Sequence, residues 1–208
     1  EMCIRDSHRG PEFSELALKC LSGIKTIFKT KNPVIIFPAS GTGAWEAALV
    51  NTLNDGDNVL MVETGHFASL WNNMAQKLGL KVELLKTDWR QGLDPNEIEK
   101  RLRLDADKKI KAVCIVHNET STGCTSDVKA VREILDNLNH DALLMVDSIS
   151  GLASMNYQHD EWGVDITISG SQKGLMLPPG LSFNAISEKA INASKKSGLK
   201  KSYWDWDE

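Results

Sequence analysis

Seven short apolar or β-branched runs recur along the chain, starting near residues 34, 59, 81, 111, 142, 165 and 181, with helix-forming segments between them. An alternation of this kind fits few architectures, and it predicts an α/β fold: a three-layer α/β/α arrangement around a mostly parallel sheet. The chain shows no internal repeat and no Pro/Ser-rich linker, and its 208 residues suffice for one domain or most of a larger one. The four cysteines form no CxxC pair and have no histidine at zinc-site spacing, so no metal site is expected and the thiols read as reduced.

The most informative stretch is Asp165-Ile-Thr-Ile-Ser-Gly-Ser-Gln-Lys173-Gly-Leu-Met-Leu-Pro-Pro-Gly180. It reads as a strand entering a tight loop that sets one lysine among small residues, which predicts a positioned, partly desolvated amine. Such an amine has a lowered proton affinity and attacks carbonyls, and pyridoxal phosphate is the cofactor that most often exploits one. That cofactor also needs an acid facing its ring nitrogen and a cradle for its phosphate. Asp147 closes the buried-strand pattern Ala142-Leu-Leu-Met-Val-Asp147, and Ser40-Gly41-Thr42-Gly lies between a strand and a helix, where open amides and the helix dipole favour an anion. Taken singly these signals are weak. Together they fall at the carboxyl ends of predicted strands, where open α/β sheets bind ligands. A nucleotide P-loop is excluded because the Gly-Lys-Ser/Thr ending is absent.

The run from His159 through Asp165–Lys173 to Leu181, with Ser40-Gly-Thr-Gly-Ala-Trp-Glu-Ala-Ala-Leu-Val-Asn51 and Ser202-Tyr-Trp-Asp-Trp206, resembles the serine–glyoxylate aminotransferases of the class V aminotransferase family. The resemblance implies the large domain of the aspartate-aminotransferase-like fold, with an antiparallel strand mixed into the sheet. It implies Lys173 as the Schiff-base lysine for pyridoxal 5'-phosphate, Asp147 on the pyridine nitrogen, and Ser40, Gly41, Thr42 and Gln172 on the phosphate. It also implies Phe67 stacked on the ring and Thr120 as a further cofactor contact. From spacing alone, Phe67 reads equally well as a core residue at a helix start, and the Asn118–Gly123 loop as one that caps itself.

The activity implied is transfer of an amino group from serine to glyoxylate, with alanine–glyoxylate or another class V exchange as the alternative. Cysteine desulfuration is disfavoured, since no cysteine lies on a recognisable mobile loop. A catalytically incompetent fragment, or a phosphate-binding α/β module without catalysis, is the competing class. The resemblance further implies a homodimer, with small-molecule amino and 2-oxo acids as partners, and a C-terminal small domain with the substrate-carboxylate arginine that this chain lacks. Ala39 and Ser148-Ile-Ser-Gly151 are mild departures that bear on substrate preference.

A net charge of -4 with mixed signs gives no reason to expect nucleic acid or an anionic membrane as partner. The apolar run from Val34 to Ala39 is too short to span a bilayer and no signal-peptide core is evident, so a cytoplasmic location is expected. Residues 1–7 read as a non-native or disordered leader, with the domain over 8–208. His117 and His159 read as structural, Cys114 as a core residue, and Cys124 as a thiol near the site.

Overall fold

The structure is a computed structural model and describes residues 10–207, so the expected leader over residues 1–7 lies outside the described residues. Strands and helices alternate as α1 (Pro11–Phe28), β1 (Val34–Phe37), α2 (Gly41–Thr52), β2 (Asn58–Glu63), α3 (His66–Lys77), β3 (Lys81–Lys86) and α4 (Pro95–Leu104). The order continues with β4 (Ile110–Val116), α5 (Val128–Asn137), β5 (Leu143–Asp147), β6 (Ile166–Gly170), β7 (Ser182–Ile186) and α6 (Glu188–Ser194). The seven strands form one sheet in the order β1-β7-β6-β5-β4-β2-β3. Neighbours from β3 to β6 pair in parallel, whereas β7 runs antiparallel to both β6 and β1. The mostly parallel sheet is what the strand–helix alternation predicts, and its antiparallel member is what the family resemblance implies.

The central strands read as continuous apolar runs because both faces are covered. Successive side chains leave a strand on opposite faces. Val113, Ile115, Leu144 and Val146 therefore join one core, against Ile98 and Leu102 of α4 and Val131 and Leu135 of α5. Ala112, Cys114, Leu143 and Met145 join the other, against Leu49 and Trp45 of α2 and Trp71 of α3. These two cores make the three layers. His117 and His159 are buried, and His159 Nδ1 lies 2.7 Å from Thr167 Oγ1, so burial holds its ring neutral, with its pKa pushed down to about 4. Helix α2 starts at Gly41 and α3 at His66, each earlier than apolar composition suggests, because the small or polar residues before the apolar run already take helical geometry.

Asp165 locks the end of the sheet remote from the strand C-termini. It is 4% exposed; its Oδ2 accepts the Leu144 amide at 2.9 Å and its Oδ1 the Ser187 hydroxyl at 2.9 Å. Arg132 of α5 and Lys189 of α6 each lie 3.6 Å from Oδ2. One carboxylate thus joins β5, β6 and two helices. Among the described residues no helix is long and apolar enough to cross a membrane. Asp165→Ala strips a buried network of its acceptor, and urea denaturation is expected to show a loss of about 3–5 kcal/mol.

Candidate active site

In a parallel sheet the chain leaves every strand at the same edge, so the loops after β2, β4, β5 and β6 and the α2 N-terminus after β1 converge there. They enclose one cavity, and all eight residues singled out from the sequence line it: Ser40, Gly41, Thr42, Phe67, Thr120, Asp147, Gln172 and Lys173. Trp45, Asn118, Ile149 and Ser150 line it as well; of these, sequence reasoning gave a functional bearing only to Ile149 and Ser150, as part of a stretch tied to substrate preference.

At one end lies the start of α2. Ser40 occupies the N-cap position without a side-chain hydrogen bond to the helix. By contrast, Asp94 caps α4 through the Asn96 amide, and Asp127 caps α5 through the Ala130 amide. An uncapped helix start leaves amides open to an anion. The backbone also comes close to the side chain that follows β5, since a Cβ at Gly41 would overlap Ile149. Gln172 adds a buried side-chain oxygen with no hydrogen-bond partner, and among the described residues no hydrogen bond involves its side-chain N–H.

At the other end Asp147, 4% exposed, ends β5. The Ile149 amide donates to its Oδ1 at 2.8 Å and the Trp45 indole N–H to its Oδ2 at 2.8 Å. Burial pushes the carboxyl up to about 7; the Glu119 charge acts in the same direction, while the two hydrogen bonds and the Lys173 charge pull it down.

Lys173 sits in the loop after β6, with Gly174 packed so closely on the Leu152 carbonyl that a Cβ would overlap it. The expectation of a desolvated amine is corrected: Lys173 is exposed. The loop carries it beyond the strand end to the rim of the cavity, and among the described residues nothing hydrogen-bonds to its Nζ. The tight packing holds the backbone, while the side chain stays in water. Thr120 is likewise exposed, and Phe67 is half-buried.

Glu119 is the residue whose role the sequence hides most completely. It is fully buried, and its carboxylate accepts the Phe67 amide at 3.4 Å, the Ala68 amide at 3.1 Å and the Ser121 hydroxyl at 2.8 Å. Ser121 Oγ takes the His66 amide at 2.9 Å. Together they cap α3 from the next loop, because Gly65 has no side chain to do so. That cap fixes Phe67 relative to Thr120 and closes the α3 N-terminus to any other anion. Cys124 does not line the cavity; its thiol donates to the Trp89 carbonyl at 3.2 Å.

A buried acid, an uncapped helix start and a lone amine meet around one cleft at the strand ends of an α/β protein. The chain belongs to the aminotransferase class-V family, whose model matches residues 4–200. It is 46% identical to a serine–glyoxylate aminotransferase of Methylorubrum extorquens over 98% of this chain and 52% of that protein. It is 44% identical to an L-aspartate–glyoxylate aminotransferase of Paracoccus denitrificans over 95% of this chain and 50% of that one. Among solved structures, an alanine–glyoxylate aminotransferase from Nostoc sp. superposes with a TM-score of 0.89 at 30% identity, covering 97% of this chain and 53% of that chain. The chain thus spans about half the length of the curated relatives it matches.

Two outcomes are expected from this geometry. Glu119→Gln turns an amide donor toward the α3 amides and should cost about 1–3 kcal/mol, with faster amide exchange at Phe67 and Ala68. For Asp147, the folded carboxyl titrates near 7 and the unfolded one near 3.8, so the unfolded chain loses its proton first. Stability relative to Asp147→Asn should therefore fall as pH rises from about 4 to about 7 and stay level above, a change on the order of 4 kcal/mol in urea titrations.

Proposed function

We propose that the protein is a pyridoxal phosphate-dependent transaminase that passes the amino group of serine to glyoxylate, giving hydroxypyruvate and glycine. The observation that carries the reading is the placement, around one cleft, of a single amine, a buried carboxylate and an uncapped helix start. The cofactor fits the residues present. Ser40, Gly41 and Thr42 offer the open first turn of α2 to its phosphate, and the uncommitted Gln172 amide adds a donor. Asp147 would face the ring nitrogen, and Phe67, Ile149 and Thr120 line the same cavity. When bound, pyridoxal phosphate supplies an electron sink that lets an amino acid release its α-proton.

The chain's own residues do the rest. Among the described residues Lys173 carries the one amine lining the cavity; its Nζ would hold the cofactor's aldehyde end and, once displaced by a substrate amine, would be free to take the proton from the substrate's α-carbon. Its exposure suits both tasks, since a rim amine is reached by substrate and regains protons from water. Asp147, held between two N–H donors, would meet a protonated ring nitrogen, whose positive charge favours the carboxylate form.

Glyoxylate is the shared word in the names of the serine- and aspartate-dependent relatives, which supports it as acceptor; serine as donor rests on the relative at 46% identity. We place the working enzyme as a homodimer in the cytoplasm, with amino and 2-oxo acids as its small-molecule partners.

The test is absorbance titration with pyridoxal phosphate, followed by product assays with serine or aspartate and glyoxylate. A visible cofactor band is expected that Lys173→Ala abolishes, with turnover reduced by about 10²–10⁴-fold or more. A band that survives in Lys173→Ala contradicts the reading, and faster turnover of aspartate than of serine reassigns the donor.

A further inference from the structure

We propose that Trp45 is a positioning residue that acts through Asp147, its indole N–H fixing the carboxylate's rotation and favouring its anionic form. The functional part of this inference rests on the cofactor reading above. The geometry stands by itself. Trp45 is 2% exposed, lines the cavity, and donates to Asp147 Oδ2 at 2.8 Å. An indole N–H is donor only, and so is the backbone amide of Ile149 that holds Oδ1. Each carboxylate oxygen therefore meets a group that can stabilise a negative charge and cannot accept a proton from it. A protonated Asp147 would have to place its hydrogen on a remaining lone pair, with both donors still facing it.

Trp45 is itself held in place. Its ring stacks on Trp71 of α3 at 6.0 Å between centroids and 14° between planes, and Trp71 is 1% exposed. Trp45 also follows the open first turn at Gly41 on the same helix, so one rigid element carries the anion-binding end and the donor to the acid. Their spacing is set by the helix, not by a loop. The charged or titratable groups around Asp147 are Glu119 in the loop after β4, Lys173 after β6, and Tyr157 after β5, which burial keeps uncharged. His117, whose backbone amide donates to the Asp147 carbonyl, is likewise held toward its neutral form by burial. Of these, Glu119 opposes an anionic Asp147 and Lys173 supports it; burial raises the carboxyl's proton affinity most, and the two N–H donors limit that rise.

The experiment uses the protein free of cofactor, with 15N-labelled indoles and 13Cγ-labelled aspartate. The Trp45 Nε1–H resonance, assigned by its loss in Trp45→Phe, should move with pH in a single transition that matches the Asp147 carboxyl and vanishes in Asp147→Asn. In Trp45→Phe the Asp147 proton affinity should rise about tenfold, moving its titration up by about one pH unit. The pH dependence of pyridoxal phosphate affinity should move upward with it, a change that a loss of packing alone does not produce. An indole resonance indifferent to Asp147→Asn overturns the proposal even if Trp45→Phe fails to fold, and so does an unmoved Asp147 titration in a folded Trp45→Phe. If the titrations behave as expected and neither protein binds pyridoxal phosphate, the pairing stands and the cofactor reading fails.

Discussion

A carboxylate taken out of water at the end of a central strand must be hydrogen-bonded or neutralised, and the way Asp147 meets that demand organises the site. Its partners come from two elements: the backbone just after β5, through Ile149, and the first half of α2, through Trp45. Trp45 in turn rests on Trp71, which ties α2 to α3. The start of α3 is closed by Glu119 and Ser121 from the loop after β4, which brings Thr120 and Phe67 to the same cleft. A chain of satisfied polar groups and stacked rings therefore runs from one strand end through two helices and back to a neighbouring strand.

Within that frame the three chemical parts have different surroundings, and the difference is what makes them useful together. The acid is buried, so its charge is costly and strongly felt. The helix start is uncapped in a protein whose α4 and α5 are capped by their own aspartates, so it is the one of these three sheet-packed helix starts that remains open to an anion. The amine stands at the rim, exposed, on a loop where Gly174 lies against the Leu152 carbonyl. Deep charge, open amides and an accessible base are separated by the width of one cleft.

Much of this was legible in the sequence. Central strands such as β5 and β6, buried at every position, write themselves as unbroken apolar runs, and the residues that follow such runs fall at the binding edge of a parallel sheet. That is why Asp147, Lys173 and the Ser40–Thr42 turn could be singled out together. Trp45 could not, because an indole in an apolar helix reads as core, and its partner lies 102 residues away. Glu119 reads as a loop acid, yet its carboxylate serves amides 51 and 52 residues earlier in the chain. Long-range pairing of this kind leaves no local pattern. The misjudged exposure of Lys173 has a similar origin: small neighbours do signal a tight loop, but tightness of the backbone says nothing of which way a long side chain points.

The central claim is that the amine of Lys173 is the group that joins the cofactor. Borohydride reduction of the protein equilibrated with pyridoxal phosphate, followed by peptide mass mapping, tests it directly. The account predicts one pyridoxyl group, on the peptide that contains Lys173. Label spread over surface lysines such as Lys195, Lys196, Lys200 and Lys201, with Lys173 unmodified, would contradict it.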